Sequence, residues 1–198
     1  MCFDLRASVA SYLMGLAAGI AALYTRQYIL GWLILFYCQI QLAEAIIWYG
    51  IDTDSTALNE TGTLLLKYFL AAHLIGVGIG IYFSHAIVWP FLVGLAFFLC
   101  VCIIYWLNPG EKTTHPGPSG RLEWKFPIWW YVILYMIFII FMLMFLPTRA
   151  SKIFIIGAYT LLLGVAMATQ AVGSIWCFLS AFAAPAIVLG NYWLTRVN

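Results

Sequence analysis

The sequence predicts an all-α, polytopic membrane protein, a single bundle of seven transmembrane helices with its N-terminus outside and its C-terminus cytoplasmic. Three observations carry this. Of 198 residues, 65% are hydrophobic and only 8% are charged, against about 45–50% and about 25% in a soluble domain. The mean hydropathy is +1.01. Apolar stretches recur at the length of about 20 residues that crosses a hydrocarbon layer about 30 Å thick. Together they exclude a soluble enzyme and a disordered tail, and they make the lipid bilayer the first partner. Nucleic acid is excluded as a partner, because nine Lys and Arg against seven Asp and Glu leave a net charge of only +2. Cys2, Cys38, Cys100, Cys102 and Cys177 are scattered through apolar sequence. They form neither a disulfide framework nor a four-ligand zinc spacing.

The spans fall at residues 5–24, 28–51, 62–83, 87–107, 127–146, 153–170 and 174–194 of one domain covering 1–198. Arg26-Gln27 breaks the first pair, Asp52 to Ser55 the second and Ser84-His85 the third. A long loop, 108–126, opens with Asn108-Pro109-Gly110 and precedes the fifth span. It is expected to be an irregular connector, with a cap over the outer pocket or a contact with a partner as the alternatives. Pro147 to Arg149 and Gln170 to Ser174 supply the last two breaks. Asp4 and Arg6 do not make the positive start of a cleaved signal peptide, so the N-terminus is expected to stay on the protein.

Orientation follows from basic residues in short loops. One side collects Arg26, Arg149, Lys152 and Arg196, with no acid. The other holds Arg6, Lys67, Lys112, Arg121 and Lys125 among six acidic residues, and three of those five cations lie in the one long loop. The first side is read as cytoplasmic. Asn59-Glu60-Thr61, an acceptor pattern for glycosylation, then faces outward.

Small residues four apart allow close helix approach in lipid. Gly15 with Gly19 and Gly76 with Gly80 have that spacing, and are expected to pack inside the bundle, with an oligomer through helix packing as the less favoured use. Aromatic clusters near span ends, such as Trp48-Tyr49 and Tyr105-Trp106, form interfacial belts.

Ionisable groups inside spans are costly and mark candidate sites. Glu44 is the only carboxylate there. Tyr37, Gln41, Glu44 and Trp48 recur at i, i+4, i+7 and i+11, which is one helix face. His73 is placed at a depth near Gln41 by counting from the start of the third span, and Lys67 lies one or two turns above it, able to snorkel outward or reach Glu44. Gln170 and Ser174 flank the last gap, and Cys177 with Ser180 lies on one face of the seventh span. Gln41, Glu44, Lys67, His73, Gln170, Ser174 and Cys177 make up the expected binding or transport pocket. The same residues also suit a satisfied polar lock between helices. No catalytic residue and no metal ligand set is assigned, since nothing in the spacing fixes Glu44, His73 and Cys177 together. No cofactor is identified. Retinal is disfavoured because the last span carries no lysine for a Schiff base.

Met1-Cys2-Phe3 with Ala7-Ser8 and Gly15, then Gln41-Leu42-Ala43-Glu44 with Trp48, and Trp176-Cys177 with Ser180 resemble an uncharacterised seven-span family. Its members occur in large DNA viruses of protists and in bacteria. Trp124 and Pro127 are similar to that family's approach to its fifth helix. The resemblance implies a multi-pass bundle in a host or viral membrane and supplies no activity.

Three functions are consistent with these residues. The first is a small channel or carrier for a proton or small solute, with an outer-half pocket around Glu44. The second is a non-catalytic structural or assembly component, such as a viral-envelope or complex subunit. The third is a ligand-binding sensor or an intramembrane enzyme, with an enzyme the less favoured because acid–base work needs two groups within reach of a substrate.

Overall fold

Asp4 starts the first helix by accepting the Ala7 N–H at 2.7 Å, which satisfies one of the backbone donors that every helix start leaves open. Among the described residues, six helices are bounded in the computed structural model: α1 (Leu5–Tyr24), α2 (Tyr28–Asp52), α3 (Thr56–His85), α4 (Trp89–Leu107), α5 (Arg149–Ala168) and α6 (Val172–Val197). The structure describes residues 4–117, 120, 122–123, 137, 140–141, 143–168 and 172–197, with side chains except those of 159, 162–168, 172–181 and 197.

Three-residue turns join the first four helices. Each contains a residue in left-handed backbone, Arg26 at φ 62°, Asp54 at φ 52° and Ala86 at φ 55°. Pro90 stands in the first turn of α4, where its missing N–H costs nothing. Asn108 caps the other end and Pro109 prevents continuation.

Among the described residues, α1 to α4 are each long and apolar enough to cross a membrane. The expected spans are met for α1 and, within two residues, for α2 and α4. The third span needs correction: α3 starts at Thr56, six residues before 62, and ends at His85. Its first turns are polar and fall below any hydropathy criterion, yet Ser55 stands at the N-cap and Asn59 and Thr63 are buried. At 1.5 Å per residue, α3 is about 45 Å long and outruns the hydrocarbon layer. The stretches expected as the sixth and seventh spans fall within helices α5 and α6 over residues 153–168 and 174–194. The fifth, 127–146, lies largely outside the described residues; Ile137, Ile140, Phe141 and Leu143 in it are helical.

The central pair is α2 and α3. Gly62 and Gly80 of α3 meet α2 so closely that a Cβ on either would lie within 3 Å of backbone, at Ala43 O and Ile47 N for Gly62 and at Ile29 Cα for Gly80. Gly76 meets Phe36 and the Trp32 carbonyl in the same way. Gly15 and Gly19 bring α1 against Cys38, Leu35 and Gly31 of α2. Both small-residue pairs thus serve packing within the bundle, as expected. Across α3, Gly78 and Gly94 seat α4, and α6 packs on α5, α1 and α2.

The outer surface is apolar. Leu13 and Ile20 on α1, and Leu99, Ile103 and Trp106 on α4, are each more than half exposed. Extended exposed apolar surface marks a face for lipid or for a partner. It is suited to lipid, and this is a multi-pass membrane protein by length and composition of its helices.

Polar contacts mark the two ends of the bundle. At one, Gln27 donates to the Val188 carbonyl at 3.2 Å and its Oε1 accepts from Asn191 Nδ2 at 2.6 Å. There too His85 Nε2 meets the Phe145 carbonyl at 2.7 Å. At the other end, Glu123 N–H donates to the His115 carbonyl at 3.1 Å and Pro116 forms a β-bridge with Leu122.

Candidate functional site

The stripe on α2 forms as its spacing requires. Tyr37, Gln41, Glu44 and Trp48 are all buried, and Gln41 and Glu44 are 0% exposed. At about 100° per residue, this stripe lies on the side of α2 left open between the seam with α3 (Phe36, Ala43, Ile47) and the seam with α1 (Gly31, Leu35, Cys38). It therefore looks into the bundle, away from lipid, as an intramembrane carboxylate should.

His73, also 0% exposed, is stacked on Tyr37 with ring centroids 4.9 Å apart and an interplanar angle of 25°. Its ring further engages backbone groups of Leu70 on its own helix and of Phe36 and Tyr37 across the seam. The glycine contacts fix the antiparallel register: Gly50 meets Asn59, Gly62 meets Ala43 and Ile47, and Gly80 meets Ile29. That register sets His73 level with Phe36 and Tyr37, not with Gln41. Counting from residue 62 misplaced it, because two helices share a depth scale only through their contacts. Glu44 and His73 are then separated by eight residues, about 12 Å along the pair. Tyr37 and Gln41 occupy the interval, so the buried groups form a column from Glu44 to His73.

Lys67 goes elsewhere. Its Nζ donates to the carbonyls of Pro109 and Glu111, each at 2.7 Å, and lies 5.6 Å from the centre of the Tyr105 ring. Of the two expected directions, it takes the outward one, snorkelling along the α3–α4 seam to the chain that leaves α4. Carbonyls beyond a helix C-terminus are a favourable place for a cation. Glu111 adds an attractive charge nearby.

Sequence reasoning missed the clamp beside Lys67. Asn59, 4% exposed, donates from Nδ2 to the Thr114 carbonyl at 2.9 Å and accepts the Thr114 N–H on Oδ1 at 2.9 Å. The Thr63 hydroxyl sits 2.9 Å from that of Thr114 and 3.2 Å from Asn59 Oδ1. Asn59 thus imitates a strand edge for one loop residue. As a glycan acceptor it needs correction: in the folded chain Asn59 is buried, and its amide nitrogen and oxygen are both bonded to Thr114. The only available signal was a polar triplet at i, i+4 and i+8 (Asn59, Thr63, Lys67) beginning before the apolar run. The described part of the loop is held to α3 at residues 109, 111 and 114, and its Leu122 is buried in the core.

Gln170 lies outside the described residues, as do the side chains of Ser174 and Cys177 on α6. Among the described residues, no three His, Cys, Asp or Glu side chains gather as a metal-binding group. No protein family, curated protein or solved structure matches the chain.

Proposed function

We propose that this protein is a small seven-traverse carrier or channel that passes protons through the column Glu44, Gln41, Tyr37 and His73. The observation that supports this reading is the column itself. Protonatable and hydrogen-bonding side chains follow one another inside the bundle over about 12 Å of depth, where an ionisable group is otherwise costly. Carboxylate and imidazole are the two side chains best suited to take up and release a proton near neutral pH.

Seven traverses accord with Glu123 standing at one end of the bundle and Phe145 at the other. The C-terminal end, with Arg26, Arg149, Lys152 and Arg196, is the cytoplasmic one in this reading. Membership in the family of large DNA viruses and bacteria belongs to the same proposal. A second reading, a non-catalytic membrane component, is favoured by Lys67, Asn59 and Thr63, which tie helix to loop and need no transport role.

Proteoliposomes carrying a pH-sensitive dye and an imposed potential separate the two. Glu44→Gln should abolish proton flux, and Glu44→Asp should retain part of it, with both variants as stable as the parent. Equal flux in Glu44→Gln and parent, or no flux in the parent, would refute the carrier.

A further inference from the structure

A groove of about 470 Å³ runs along the outside of the central pair, on the opposite side of α2 from the Glu44 column. Trp32, Phe36 and Gln39 of α2 form one wall, Phe98 of α4 the other, and Tyr68 and Ala72 of α3 the floor. Its volume falls within the range of ligand pockets, about 300–1,000 Å³. We infer that this groove binds one acyl chain of a phospholipid from the leaflet at the Arg26 end.

Four observations point to that occupant. The groove is continuous with the lipid-facing surface: Leu64, Tyr82 and Phe83, on the same side of α3, are each about half exposed. Its depth matches one leaflet. Trp32 and Gln39 lie four and eleven residues past Tyr28, hence about 6 and 16 Å from that end of α2, and half the hydrocarbon layer is about 15 Å. Its mouth is an aromatic ladder at the interface level. Phe83 stacks on Trp32 at 6.4 Å and 12°, and meets Tyr28 at 6.0 Å. Its lining is mostly apolar and aromatic, and its one amide turns Gln39 Nε2 to the Leu35 carbonyl of its own helix at 3.0 Å. An unbranched hydrocarbon asks for nothing more. A helix from a second copy, about 10–12 Å across with its side chains, does not enter a slot bounded by single side chains on neighbouring helices.

The small floor residue Ala72 makes the groove, and it gives the test. The protein is placed in nanodiscs of phosphatidylcholine bearing a diazirine midway along one acyl chain, then photolysed and mapped by peptide mass spectrometry. Labelling per exposed residue should be several-fold higher on 32–39 and 68–72 than on the lipid-facing residues Leu13, Ile20, Leu99 and Ile103. Ala72→Phe, and the milder Ala72→Leu, should remove that excess and leave labelling of α1 unchanged, each variant being compared only as a monodisperse helical preparation. Labelling that follows exposure alone, an excess that survives both fillings, or cross-links from the groove to a second copy would each overturn the inference.

Discussion

Asn59→Ala tests how the loop after α4 is held. The substitution removes two hydrogen bonds to the backbone of Thr114, each 2.9 Å long, and takes away one neighbour of the Thr63 hydroxyl. Thr114 is itself buried, so its N–H and carbonyl would be stranded in the closed loop and satisfied by water only in the open one. Net contributions of about 0.5–1.5 kcal/mol per bond, with a larger cost for stranded groups, put the shift toward opening at about 2–3 kcal/mol. Every 1.4 kcal/mol is tenfold, so the open population should rise roughly thirty- to a hundredfold. Lys112 is exposed within the held segment, and limited trypsinolysis after it reads that population while reclosing outpaces cleavage. The variant in nanodiscs should be cut faster by that factor, with cleavage elsewhere unchanged. An acceleration below about threefold, less than 1 kcal/mol, would show that Asn59 does not hold the loop and that the reasoning from buried backbone groups fails here.

Further outcomes follow from the same contacts. Lys67→Met should also speed cleavage after Lys112, and Lys67→Arg less so; combined with Asn59→Ala the effect should fall short of the sum, because both substitutions open one loop. Gly80→Ala should destabilise by about 1–3 kcal/mol, read as a lower melting temperature in detergent, since its Cβ would lie 2.5 Å from Ile29 Cα. Gly157→Ala on α5 is its counterpart: no described atom lies within 4 Å of the added methyl, and the helix should hold or gain up to about 1 kcal/mol. A destabilised Gly157→Ala would contradict the open space there.

Helices α1, α2 and α4 were legible because apolar length and the residues that break it are local properties. The same logic truncated α3, whose first turns are polar and are kept helical by tertiary contacts with the loop at 109–114. The stripe from Tyr37 to Trp48 was legible from helical period alone. The place of His73 was not, since it depends on how α2 slides against α3, and that is set by backbone approach at Gly62, Gly76 and Gly80. Lys67 could be narrowed to two directions, and only the path of the chain after Leu107 decides between them. The acceptor pattern at Asn59 misled for a related reason: three residues define it, while the partner that consumes the amide lies 55 positions away.

The burial of the stripe on α2 has a bearing on how the chain matures. The first four helices are linked by three-residue turns, so their mutual contacts are close in sequence and are made early. The side of α2 that bears Gln41 and Glu44 is covered in part from α3, where His73 stacks on Tyr37. Among the described helices α6 also reaches α2, and Gln27 with Asn191 joins the turn before α2 to α6. Burial of the stripe thus begins with a local partner, His73, while the α2–α6 seam, between segments more than a hundred residues apart, waits for the chain between them.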